Sequence, residues 1–145
     1  MPERREELTT EGGLDAVHHR ESLKKYLQNI HDADIGVSLF IDPDLDQVRT
    51  AHRLEVDAVE LHTGKYCDAR GDSDRKSELQ RLADAATAAT KLGMRVAAGH
   101  GLNYHNIHAL AGIHEISEFN VGHSIVARAI FTGIERAVRE MVELL

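Results

Sequence analysis

Three short segments break from an apolar run into glycine beside histidine: Val59-Glu60-Leu61-His62-Thr63-Gly64, Val96-Ala97-Ala98-Gly99-His100-Gly101 and Phe119-Asn120-Val121-Gly122-His123. Histidine trades protons near neutrality, and glycine lets the backbone come close to a ligand. In the first segment the two-residue alternation of a strand sends Glu60 and His62 to one face and Val59 and Leu61 to the other. A carboxylate on the inner face of a fold needs a partner or a substrate, and a structural hydrogen bond or ion pair is the competing reading. Gly99-His100-Gly101 suits a general acid or base carried at a strand end. The plainer alternative is a solvated turn histidine. Gly122-His123-Ser124 leads into the last predicted helix, where free amides and the helix dipole favour an anion such as phosphate. An ordinary N-cap by Ser124 would produce the same pattern.

Ten histidines also raise the question of a metal, with His100, His105 and His108 meeting His123 if the loops fold over. No HExxH pair or other strong ligand spacing supports it. His105 and His108 read as helix decoration. His18, His19, His31, His52 and His114 read as surface residues.

These groups are positioned by strands that alternate with helices. Residues 1–15 read as a loop around Thr9-Thr10-Glu11-Gly12-Gly13. Leu23, Tyr26, Leu27 and Ile30 recur at helical spacing, and Ile35–Ile41 reads as a buried strand. Asp42 is placed to cap the next helix, with Pro43 at its first position, and that helix runs to about Leu54. Ala58–His62 is the second strand, followed by an exposed loop over Lys65–Lys76 and a helix built on Leu79, Leu82, Ala85, Ala86 and Ala89. The third strand, Arg95–Ala98, precedes a helix near Asn106–Ala111. The fourth, around Glu118–Val121, leads into one long terminal helix whose inner face is Ile125, Val126, Ala129, Ile130, Ile134, Val138, Met141 and Val142. Four right-handed βα units follow, compatible with an open sheet or with half of an eight-stranded barrel. In either, the polar strand ends gather at one rim, where such folds keep their chemistry.

The 145 residues, 42% of them hydrophobic, suffice for one core and one domain. Cys67 stands alone, which excludes an intrachain disulfide and favours a reducing, cytoplasmic setting. A net charge of −7 without a long basic run argues against nucleic acid as a partner. No apolar stretch approaches the roughly 18 residues of a membrane span, so no membrane partner is expected.

The chain resembles the C-terminal part of the pyridoxine 5′-phosphate synthase family. The resemblance is carried by Glu7–Asp15, Val37–Asp42, Glu60–Gly64, Ala98–Asn106 and Asn120–His123. It implies an α/β chain forming the C-terminal half, four βα units, of a (β/α)8 TIM barrel, so that residues 1–145 are a single partial barrel domain whose N-terminal strands lie before Met1. It implies the joining of 3-amino-2-oxopropyl phosphate to 1-deoxy-D-xylulose 5-phosphate, both phosphorylated small molecules, in a cytoplasmic homo-oligomer without metal or redox cofactor. By the same resemblance His100 is the proton donor and Glu60 stabilises charge in the transition state. Thr9 contacts deoxyxylulose phosphate, and Gly101, Gly122 and His123 hold the aminooxopropyl phosphate. The strands that bring a further histidine, a glutamate and an arginine-containing loop in that family are not in this sequence. The chain alone is therefore expected to be inactive and to pair with another copy or with a separate N-terminal fragment, or else to fold poorly. The alternative is a noncatalytic, phosphate-binding or self-assembling half-barrel.

Overall fold

The computed structural model describes residues 12–145. Four strands, β1 (Ser38–Ile41), β2 (Ala58–His62), β3 (Arg95–Gly99) and β4 (Glu118–Asn120), form one parallel sheet in sequence order. Right-handed crossovers that always step in the same direction bring every connecting helix to the same side. Helix α1 (Arg20–Asp32) precedes the sheet, and α2 (Leu45–Arg53) joins β1 to β2. A short α3 (Gly64–Asp68) and the long α4 (Asp72–Lys91) join β2 to β3, and α5 (Ile107–Ala111) joins β3 to β4. Helices α6 (His123–Thr132) and α7 (Ile134–Val142) close the chain.

The core lies between the sheet and this single helical layer. Leu39, Ile41, Val59, Leu61, Val96 and Ala98 are buried on the helix side, packed with Val48 and Ala51 of α2 and with Leu82 and Ala86 of α4. The alternate residues Ser38, Glu60, Arg95, Glu118 and Asn120 are half-buried or exposed. Parallel sheets are ordinarily covered on both faces, whereas here the second face is polar and bears no described helix. Ahead of the sheet, the Leu14 N–H donates to the Phe40 carbonyl at 2.7 Å, laying residues 12–15 beside the β1 edge without regular structure.

The four strands fall where the alternation places them, the first shorter than Ile35–Ile41. The segment read as a loop over Lys65–Lys76 instead holds α3 and the start of α4. Asp42 does not cap α2. That cap is Asp44, whose carboxylate accepts from the N–H groups of Asp46 at 2.8 Å and Gln47 at 3.3 Å, so Pro43 lies outside the helix and Asp42 stays at the strand end.

The terminal helix is two helices. Gly133 stands at φ 81° and ψ 151°, a region open essentially to glycine alone, and the chain folds back there. Glu140 of α7 pairs with Arg128 of α6 and, at 2.8 Å, with Arg136. The two guanidiniums, Arg128 first, hold its carboxyl down to about 2. Folding back changes the expected inner face. Ala137 and Met141 of α7 are buried, while Val126 and Ile130 of α6 and Ile134, Val138 and Val142 of α7 are exposed, and α6 buries none of its residues.

Candidate active site

All four strands deliver polar groups to their carboxyl ends. Register sets His62 beside Gly99 and Gly99 beside Asn120, with Glu60 one step lower between Phe40 and Ala97. The pleat therefore keeps Glu60, His62 and Asn120 on the uncovered polar face. Gly99 leaves the room that the Glu60 carboxylate occupies: a Cβ on it would displace that carboxylate and stand 3.1 Å from the Asn120 Cβ.

His100 follows at φ 81°, a left-handed conformation that costs an L-residue roughly 1–3 kcal/mol and persists only where the surroundings enforce it. Those surroundings are explicit. The fully buried Thr63 hydroxyl donates to the Gly99 carbonyl at 2.8 Å and also reaches the His100 carbonyl. The Thr63 N–H donates to Gly99 O at 2.9 Å. The Asn106 amide donates to the Gly101 carbonyl at 3.1 Å and accepts from the Asn103 N–H at 2.7 Å. The Cys67 thiol sits 3.6 Å from the His100 carbonyl, and burial pushes its pKa up, so it stays a neutral filler. A Cβ on Gly101, itself at φ 77°, would stand 3.0 Å from that cysteine's Cβ. The strain at His100 is thus supported by three residues, Thr63 and Cys67 at α3 and Asn106 at the start of α5, and one imidazole is carried at the rim.

A cleft of about 780 Å³ opens beside it, lined by His100, Gly101, Asn120, Gly122, His123 and Ile130 among others. Gly122 is the N-cap of the ten-residue α6 and His123 its first residue, so the start of a helix, where backbone amides lack intrahelical partners, lines this cleft. Ser124 is not the cap. Its hydroxyl donates to the Leu102 carbonyl at 2.9 Å, tying α6 to the loop after β3.

The structure brings together His100, Gly101, Gly122 and His123 around one cleft and sets Glu60 against Gly99 next to it. Thr9 lies outside the described residues. His105 and His108 are exposed, and among the described residues no three His, Cys, Asp or Glu are grouped to hold a metal ion. Of the histidines expected at the surface, His18, His52 and His114 are exposed, but His19 and His31 are half-buried, and His31 Nε2 is enclosed without a hydrogen-bond partner among the described residues.

Sequence reasoning passed over the anchors of the His100 loop, Thr63 and Asn106. It also misread Asp42, whose carboxylate lies 3.2 Å from His62 Nδ1 and 3.4 Å from Lys65 Nζ. The hydrogen bond from His62 chiefly, with Lys65 assisting, holds the Asp42 carboxyl below the usual carboxylate range. A rim acid one residue past a strand was the signal available, and Pro43 disguised it as a cap.

A sequence model of the family described as pyridoxal phosphate biosynthesis protein PdxJ matches residues 1–145. Among curated relatives, the pyridoxine 5′-phosphate synthase of Desulforapulum autotrophicum is 52% identical over 145 residues, covering 100% of this chain and 61% of that protein. The protein of the same name from Syntrophotalea carbinolica is 54% identical over 144 residues, covering 99% of this chain and 60% of its own. The one from Chlorobium phaeobacteroides is 50% identical over 145 residues, again with 61% of its length covered. This chain spans about 60% of the length of the curated relatives it matches.

Proposed function

The chain belongs to the family of the pyridoxal phosphate biosynthesis protein PdxJ, and from that premise we propose that it is the C-terminal, four-unit part of a (β/α)8-barrel pyridoxine 5′-phosphate synthase. In this reading it contributes one side of the site that condenses 3-amino-2-oxopropyl phosphate with 1-deoxy-D-xylulose 5-phosphate. The observation that carries the reading is His100, held at φ 81° on the wall of a cleft that also takes the start of α6. Phosphate at the amides of Gly101, Gly122 and His123 fixes the aminooxopropyl substrate. Imine formation, phosphate loss, ring closure and dehydration each move a proton, and His100 gives protons to the departing groups. Glu60, beside Gly99, stabilises the positive charge that develops as the imine forms. Thr9 holds deoxyxylulose phosphate.

Four further βα units close the polar face and complete the substrate cavity. The one-sided helical layer and the sequential strand order support this, since a barrel wall has its helices on one side only. The same reading carries assembly with other copies in the cytoplasm. Among the described residues no helix is long and apolar enough to cross a membrane.

The test is calorimetric titration of the chain with pyridoxine 5′-phosphate, followed by incubation with both substrates. Binding that is lost in His123→Asp is expected, because an added carboxylate at the anion cradle repels phosphate. Product is expected only when a polypeptide supplying the other four units is present. Absence of binding overturns the site assignment, and turnover by this chain alone overturns the half-barrel. Binding without turnover even in the completed barrel would establish the noncatalytic reading instead.

A further inference from the structure

The imidazole packed against His100 is His62. Their ring centroids are 4.8 Å apart with the planes tilted by 51°, and Phe40 meets the His62 ring edge-on at 5.2 Å. Its Nδ1 lies 3.2 Å from Asp42 Oδ1, while the second oxygen of that carboxylate takes Lys65 Nζ at 3.4 Å. An ionised carboxylate can only accept, so the contact requires the His62 proton on Nδ1. In the neutral ring the lone pair is then on Nε2.

That nitrogen is enclosed and has no hydrogen-bond partner among the described residues. A Cβ on Gly64 would stand 2.8 Å from His62 Nε2 and 3.2 Å from His100 Cδ2. A side chain there would push the His62 ring from its place against His100. Three residues from three successive rim positions therefore converge: Asp42 after β1, His62 at the end of β2 and His100 after β3.

We propose that Asp42 and His62 form a positioning dyad for His100, in which the carboxylate fixes the His62 tautomer and the oriented ring seats the His100 imidazole at the cleft. The inference rests on the functional reading above and names two residues that reading does not use. The carboxylate fixes the ring through Nδ1 and the fixed ring acts on His100 by ring contact, so the conformational cost is met by packing before the substrate arrives. Asp42 acts at one remove and touches no substrate. Phe40 and Gly64 set the space in which the two imidazoles sit.

The experiment is ¹⁵N NMR of the imidazoles in this chain, at a pH where His62 is neutral, with Asp42→Ala and Asp42→Glu compared. In the parent chain His62 is expected as the Nδ1–H tautomer, with nuclear Overhauser contacts between its ring and that of His100. Asp42→Ala loses both the tautomer preference and the ring contact, and Asp42→Glu restores the tautomer. An Nε2–H tautomer in the parent chain overturns the proposal, as does an Asp42→Ala spectrum with tautomer and ring contact unchanged. Unchanged amide signals from the buried β2 and β3 residues show that the variant has kept its fold. If it has not, the tautomer of the parent chain decides alone. Titration with pyridoxine 5′-phosphate is read separately, so loss of the functional reading leaves the dyad result standing, and the reverse.

Discussion

A histidine in a left-handed conformation is an outlay that the rest of the fold has to cover, and at position 100 the covering groups can be named. Thr63 holds two consecutive carbonyls, Asn106 holds the next, and Cys67 fills the space beneath. Glycine adopts this φ without steric cost but gives up more chain entropy on folding. His100→Gly is therefore expected to be about 1 kcal/mol more stable than His100→Ala, strain relief of ~1–2 kcal/mol outweighing the entropy term. Urea unfolding of the two variants checks this, and equal midpoints would show that the loop relaxes without strain. The sequence made the two flanking glycines visible and hence the close backbone approach. It could not show that the histidine itself is the strained residue, because φ at 100 is imposed by a threonine and an asparagine that neither periodicity nor composition singles out. Asp42 was illegible for a different reason: Asp-Pro after a strand is a sound capping signal, and Asp44 two residues on is an equally good cap that the chain uses instead.

At the scale of elements, strand alternation was the reliable guide. Val59 and Leu61 go to the core and Glu60 and His62 to the polar face, as a period of two requires, and the β2 limits were readable to the residue. Helical periodicity was less secure at the C-terminus, since Ile125 through Val142 keeps its apolar spacing across a break. The break comes from Gly133 alone. A Cβ there would meet nothing within 4 Å, so packing does not demand glycine, but φ 81° and ψ 151° do. Gly133→Ala is accordingly expected to lower stability by about 1–3 kcal/mol through backbone strain alone, or to straighten α6 and α7 toward the single helix that the spacing suggests. Thermal unfolding followed by circular dichroism distinguishes the cases: strain lowers the midpoint at constant helicity, and straightening raises the helical signal. A variant indistinguishable from the parent in both would show that the turn is held by Arg128 and Glu140 instead.

The molecule as a whole has a finished side and an unfinished one. Its helical layer encloses a continuous apolar core, yet the opposite sheet face carries Arg95 and Glu118 in the open and Glu60 half-buried, and β4 has a partner on one side only among the described strands. Next to that edge α6 presents Val126, Ile130 at 79% and Phe131 at 89% exposure. Unpaired strand edges and contiguous apolar surface both promote association. A (β/α)8 wall in which β4 meets a further strand, and α6 the helix that accompanies it, removes both liabilities at once, and a second copy or a chain carrying the other four units supplies the same chemistry. Sedimentation of the purified chain is therefore expected to show association at micromolar concentration. Ile130→Glu and Phe131→Glu together should shift it toward monomer, because each places a charge that would have to be desolvated in the contact. Ile130 lines the cleft that His100 also lines, but neither substitution touches Asp42, His62 or the residues that hold the His100 loop, so the two imidazoles should keep their ring contact by NMR while assembly is lost. A parent chain that sediments as a well-folded monomer would mean that the exposed edge and face need no partner, and the half-barrel reading of this chain would fall with it.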